Sequence, residues 1–231
     1  MITLKFDTQT VTVSTTGAIV HSYQVVGESI FYPRQDVDGS QRGGSHVCLP
    51  NFGPDEVTDQ PQHGYGRVVE WRVSSQNVSE VVLEHTQSSG EYAGLDARLT
   101  YRLGEDGLLM DLQLINSSRN NLSVSPGFHP YFNVSDCEED VIVNGVGYKV
   151  NQLSETRWDE VKSKNNIAIG GSKVTLVAEH LKTLAIWSAH PDRYVCIEPT
   201  YAGNAHTGQA VGSMTLSPGE QSSFSCLVSV D

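Results

Sequence analysis

Positive charge is scarce in this chain: 15 lysines and arginines face 27 aspartates and glutamates, a net charge of −12. Indiscriminate binding to nucleic acid or to an anionic membrane needs a basic surface, so neither is an expected partner. Apolar runs long enough to span a bilayer are missing. The first residues, MITLKFDTQTVTVSTTG, alternate and lack the apolar centre of a signal peptide. Cysteine is sparse as well. The four, Cys48, Cys137, Cys196 and Cys226, are far apart and form no CxxC pair. That excludes a zinc knuckle or thioredoxin-like motif and leaves free thiols in a reducing, cytoplasmic compartment as the expectation. A sustained helical period is absent, and so are linkers, repeats and low-complexity tracts.

What is present is a period of two. TLKFDTQTVTVST, VVEWRVSS, SEVVLEHT, ARLTYRL, LLMDLQLIN, LSVSPGF, KVTLVAEH, TLAIWSAH, YVCIEP, GSMTLSP and SFSCLVSV all alternate as half-buried strands do. Turn residues separate them: EDG, NSSRNN, NGVG, GGS and SPGE. ARLTYRL-GEDG-LLMDLQLIN reads as a hairpin. The chain has 231 residues, 38% hydrophobic and 18% charged, enough to bury a large core and far from a disordered composition. Many short, evenly spaced strands predict an all-β, large antiparallel β-sandwich or barrel with few or no helices, as a single domain over residues 1–231. Two excursions, residues 34–66 and 199–213, show no clear strands, and long loops in compact domains often carry function.

Four polar stretches sit among glycines, prolines and aromatics: QRGGSHVCLPNFGP (41–54), QHGYGR (62–67), PGFHPYFNV (126–134) and YVCIEPTYAG (194–203). Aromatics beside a few polar groups suit a sugar, which has apolar C–H faces and a polar rim. His129, among Phe128, Pro130, Tyr131 and Phe132, can titrate near neutrality. Glu198 ends an apolar strand, where a carboxylate is costly unless paired or used. Gly64 and Gly66 thin the space beside His63 and Arg67, which the alternation of Val68, Val69, Trp71 and Val73 places at the mouth of a strand. Arg42 precedes Gly43-Gly44, and His46 follows them as a possible further contact.

Taken in order, RGGSHVCLPNFG, QHGYGR, GFHPYF and VCIEP, followed by a C-terminal L-SPGE and a strand, resemble the aldose 1-epimerase (galactose mutarotase-like) family over roughly residues 15–230. RGG and QHGYGR are most similar to its hexose-6-phosphate mutarotase branch, HPYF to an unassigned bacterial sugar-epimerase branch. The resemblance implies a galactose mutarotase-like supersandwich and an isomerase that interconverts the α and β anomers of an aldose or aldose 6-phosphate. No metal, cofactor or covalent intermediate is implied. It makes His129 the general acid and Glu198 the general base. His63 would hold substrate oxygens, with Arg42 and Arg67 at the sugar rim or a phosphate. LSETRWDEV (153–161) makes Asp159 the candidate for a further hydroxyl-fixing aspartate. The chain is short beside that family, which implies trimmed closing loops.

Ring opening needs a base at the anomeric hydroxyl and an acid at the ring oxygen. The expectation is a protonated His129 and an ionised Glu198, placed on opposite sides of the C1–O5 region. Two other readings follow from the same residues. A non-catalytic carbohydrate-binding sandwich would need the aromatics and the arginine but no acid–base register. A cupin-like metalloenzyme would use His63, His129 and Glu198 as ligands. Oligomeric state is not legible.

Overall fold

The computed structural model describes residues 1–54, 60–134, 140–149, 152–204 and 212–230. Among these there is no α-helix, and every strand ladder is antiparallel. The large antiparallel β-sandwich expected from the alternation is the observed architecture.

A nine-stranded sheet forms the back. Its centre is the hairpin Leu95–Gly104 and Gly107–Asn116, joined on one side by Glu80–Thr86 and on the other by the C-terminal strand Gln221–Val230. Alternation sorts the two faces. Leu99, Tyr101, Leu103, Leu108, Met110, Leu112, Phe224, Cys226 and Val228 enter the core, while Arg98 and Arg102 turn outward and pair with Glu84 and Glu80.

A six-stranded sheet opposes it and carries the site. Its key strand is Tyr194–Thr200, buried along its whole length. One face, with Val195 and Ile197, joins the core together with Leu184 and Ile186 from the neighbouring strand Thr183–Trp187. The other face presents Tyr194, Cys196 and Glu198. A strand buried on both faces reads as a continuous apolar run, so a carboxylate within it stands out.

The structure revises several strand readings. TLKFDTQTVTVST is a hairpin, Ile2–Phe6 and Gln9–Val13, turning at Asp7, whose φ is +48°. Val68 and Val69 lie in a turn, and the following strand starts only at Arg72. The excursion at 34–66 holds a hairpin of its own, Gln35–Val37 with Ser40–Arg42. Its turn is Asp38-Gly39, both at positive φ (52° and 80°), the backbone that Asp-Gly turns favour. Residues 55–59 of that excursion, residues 205–211 of the second one, and Cys137 lie outside the described residues.

Candidate active site

The glycines of QHGYGR are explained by the segment beside them. Leu49 runs alongside Gly64, and the Gly66 amide donates to the Leu49 carbonyl at 3.0 Å. A β-carbon on Gly64, whose φ is +65°, would lie 2.0 Å from that carbonyl oxygen. The buried Trp71 indole donates to the Gly66 carbonyl at 2.9 Å and anchors the turn from behind. This clamp sets His63, itself at φ +66°, against Cys48, with Nδ1 3.5 Å from Sγ. A non-glycine residue held in the left-handed region is uncommon and costs of order 1 kcal/mol or more, so surrounding contacts must enforce it. The double glycine at 43–44 works the same way. A β-carbon on Gly44 would fall 1.8 Å from the Val20 carbonyl oxygen, and the close approach delivers Arg42 and His46 to the site from either side.

These segments enclose a cavity of about 410 Å³. Arg42, His63, Arg67, His129 and Glu198 all line it, as the sequence predicts. Asp159 does not. Register explains why: Trp158 is opposite Ala185 and Asp159 is opposite Leu184, so Trp158 shares the cavity face and Asp159 points the other way. The Asp159 carboxylate accepts from the Glu160 amide at 2.8 Å and lies close enough to Tyr148 to help raise that phenol's pKa.

His129 and Glu198 meet at the bottom of the cavity. Nε2 and Oε2 are 3.2 Å apart, and both side chains are only 3% exposed. They are neighbours, rather than groups facing each other across a sugar. Side by side suffices, because the anomeric and ring oxygens are bonded to the same carbon. The charge state also departs from expectation. Burial pushes the His129 imidazole well below its ordinary range, and His63, Arg67 and Arg42 push it further down. Burial alone raises the Glu198 carboxyl well above its ordinary range. Both shifts favour the uncharged form of each group, so the pair's proton is drawn toward the carboxyl rather than held as two charges.

Aromatic rings fix this geometry. His129 stacks on Tyr131 at 4.7 Å and on His46 at 4.6 Å, and His63 meets it edge-on at 4.8 Å. His46, taken from sequence as only a possible contact, is 3% exposed and packs directly on the central imidazole. Across the small sheet, Trp158, Ala185 and Glu198 stand in one row, because Ala185 pairs with both. Adjacent strands are about 4.8 Å apart, so indole and carboxylate flank a slot roughly two spacings wide, floored by one methyl group. Trp158 is 45% exposed, rests on Gly203 and has Phe52 edge-on at 6.3 Å. Trp187, two residues beyond Ala185 on the same face, completes the wall. Sequence reasoning missed both tryptophans, although TLAIWSAH and ETRWDEV each place one at alternate positions of a strand. Three arginines ring the upper cavity. Arg42 and Arg67 line it, while Arg34 and Arg67 line an adjoining cavity of about 210 Å³. None of the three forms an ion pair with a described residue.

Residues 1–166 match the sequence profile of the aldose 1-epimerase family. This chain belongs to that family. A curated Salmonella typhimurium protein described as "Putative glucose-6-phosphate 1-epimerase" is 28% identical over 124 residues, 49% of this chain and 41% of that protein. The match thus spans less than half of the relative's length. Among solved structures, a galactose mutarotase-like protein from Lactobacillus casei superposes with a TM-score of 0.86 at 17% identity, covering 100% of both chains. A galactose mutarotase related enzyme from Lactobacillus acidophilus gives 0.80 at 17% identity, over 100% of this chain and 99% of the other. At such identities the likeness is one of fold. Both neighbours align with this chain over nearly their whole length.

Proposed function

We propose that this member of the aldose 1-epimerase family is a mutarotase acting on an aldose with an anionic substituent, most simply an aldose 6-phosphate. The observation that carries the reaction is the buried His129–Glu198 pair, 3.2 Å apart at the bottom of a cavity with an aromatic wall. For ring opening the pair's shared proton first crosses the 3.2 Å contact from Glu198 to His129; ionised Glu198 then takes the proton from the anomeric hydroxyl while His129 gives one to the ring oxygen. The C1–O5 bond breaks and the C1=O1 carbonyl forms. Rotation about C1–C2 presents the other carbonyl face, and the two groups exchange roles to reclose the ring. The pair starts and ends with one proton. Opening leaves that proton on Glu198, which is the form burial favours, so the pocket stabilises the pair at the ring-open stage.

The anionic substrate is supported by the arginines. In a chain of net charge −12, Arg42 and Arg67 line this cavity, Arg34 joins Arg67 in the adjoining one, and none of the three has an ion-pair partner among the described residues. Burial makes the Arg34 cation harder to hold, and Arg67 is close enough to add to this by repulsion. A phosphate dianion relieves that repulsion through charge-assisted hydrogen bonds.

Saturation-exchange NMR of anomerisation tests both parts. Glucose 6-phosphate exchange is expected to accelerate more than that of glucose or galactose. A larger effect on the free sugars overturns the anionic assignment, and no acceleration on any of the three by folded protein overturns the enzyme reading.

Trp158 is the expected platform for the apolar face of the pyranose. Trp158→Ala should raise KM about tenfold, equivalent to 1.4 kcal/mol, with kcat little changed. Steady-state kinetics on the preferred sugar checks this, and a loss confined to kcat would remove the platform role.

A further inference from the structure

Behind the acid–base pair lies a thiol with no part in the reaction. Cys196 sits two residues before Glu198 on the same strand and faces the same side of the sheet. It is fully buried and free. The His129 imidazole, the Cys196 sulfur and the Glu198 carboxylate each offer a ligand atom, and these atoms all lie within 4.8 Å of one another.

We infer that these three side chains form a binding site for a thiophilic divalent cation of the zinc class, and that occupation of this site shuts the enzyme off. Imidazole, thiolate and carboxylate are the donors zinc takes, and three protein ligands with one open position is its arrangement wherever a further ligand enters. Bonds of about 2.0–2.3 Å in a tetrahedron hold ligand atoms roughly 3.3–3.6 Å apart. The His129–Glu198 separation of 3.2 Å already fits, and the sulfur closes the remainder by a small side-chain adjustment. His129 and Glu198 line the 410 Å³ cavity, the side from which a fourth ligand would reach the cation.

The unliganded site shows a matching deficit. Glu198 Oε2 and His129 Nδ1 are buried without a hydrogen-bond partner. A cation would satisfy the carboxylate and displace two protons, one from the carboxyl and one from the thiol. Burial, and then Glu198, push the Cys196 thiol well above its ordinary range, so the metal must displace a firmly held proton; Arg42 acts in the other direction. It favours the thiolate but opposes the incoming metal, so the net charge of the two anionic ligands must outweigh it. Inhibition follows because two of the three ligands are the proposed acid and base, and that part rests on the mutarotase reading. Binding does not.

The test separates the two. Equilibrium dialysis with Zn²⁺ and cobalt(II) absorption spectroscopy report binding, and NMR exchange reports activity. Wild-type protein should take up one Zn²⁺, show a thiolate-to-cobalt charge-transfer band, and lose anomerisation activity as zinc is added. Cys196→Ala should keep basal activity, lose the band, and weaken zinc binding at least about 100-fold, beyond what changes around metal ligands usually cost. Cys48→Ala, which removes the thiol beside His63, should behave as wild type. Unchanged zinc affinity in Cys196→Ala, or loss of the band in Cys48→Ala instead, overturns the site. Zinc bound through Cys196 without loss of activity overturns the inhibition while leaving the site. An inactive wild type that still binds zinc through Cys196 upholds the site and sinks the mutarotase reading.

Discussion

Glu198→Gln is expected to lower the anomerisation rate about 10²–10⁴-fold, the range that a positioned acid or base contributes. The amide keeps the shape of the carboxyl and its place opposite Ala185. It can neither accept the anomeric proton nor hold the pair's shared one. Stability should not suffer. The carboxyl is buried with a raised pKa, so the fold disfavours its charge, and the amide carries none. The variant is therefore expected to melt at or slightly above the wild-type temperature and to bind sugar phosphate with unchanged affinity. This combination discriminates between the readings. Retained binding with lost exchange is the signature of catalysis. Exchange unaffected by the substitution would transfer the base to another group. If the wild type binds sugar but never accelerates exchange, the fold is serving as a carbohydrate-binding module.

The second large effect lies in the backbone. Gly64→Ala places a methyl group 2.0 Å from the Leu49 carbonyl oxygen, at a φ of +65°. Left-handed backbone costs a residue with a β-carbon about 1–2 kcal/mol, and overpacking adds about 1–3 kcal/mol. A total of roughly 2–5 kcal/mol corresponds to a melting point lower by about 4–20 °C in a chain of this size. Gly39→Ala is the control. Its φ is +80° but nothing lies within 4 Å of the added carbon, so it should lose only the backbone share. Thermal unfolding followed by circular dichroism measures both. Equal shifts in the two variants would refute the idea that QHGYGR is clamped against Leu49. Where Gly64→Ala still folds, KM should rise, because His63 is the residue that the clamp holds in place.

Much of this site was readable from motif order. Four polar stretches, dispersed over about 160 positions, supply His63, His129, Glu198, Arg42 and Arg67, and the fold brings them to one cavity. Alternation alone gave the sandwich. The failures have local causes. Val68 and Val69 alternate like a strand, but the clamped glycines before them keep the chain turning until Arg72. Asp38-Gly39 is a strong hairpin signal, obscured by the polar residues on both sides. Asp159 was chosen for its chemistry, but a shift of one residue in a strand changes the face, and Trp158 took the position instead. The shift of both acid–base groups toward their uncharged forms was beyond reach, since it depends on burial that no single stretch encodes.

The imidazoles of His46, His63 and His129 pack against one another with Arg67 close to all three. Burial first, and then these neighbours, hold every one of them below the ordinary histidine range, with His63 at about 4. The unfolded chain has no such restriction and takes up protons near pH 6.5. Between that pH and about 4 its imidazoles bind protons that the folded protein refuses, so their contribution to stability falls as the solution is acidified, while the raised carboxyl of Glu198 contributes in the opposite sense. The same crowding that tunes the pocket thus makes its histidines acid-sensitive, so that acidification draws on the stability of the cavity they build.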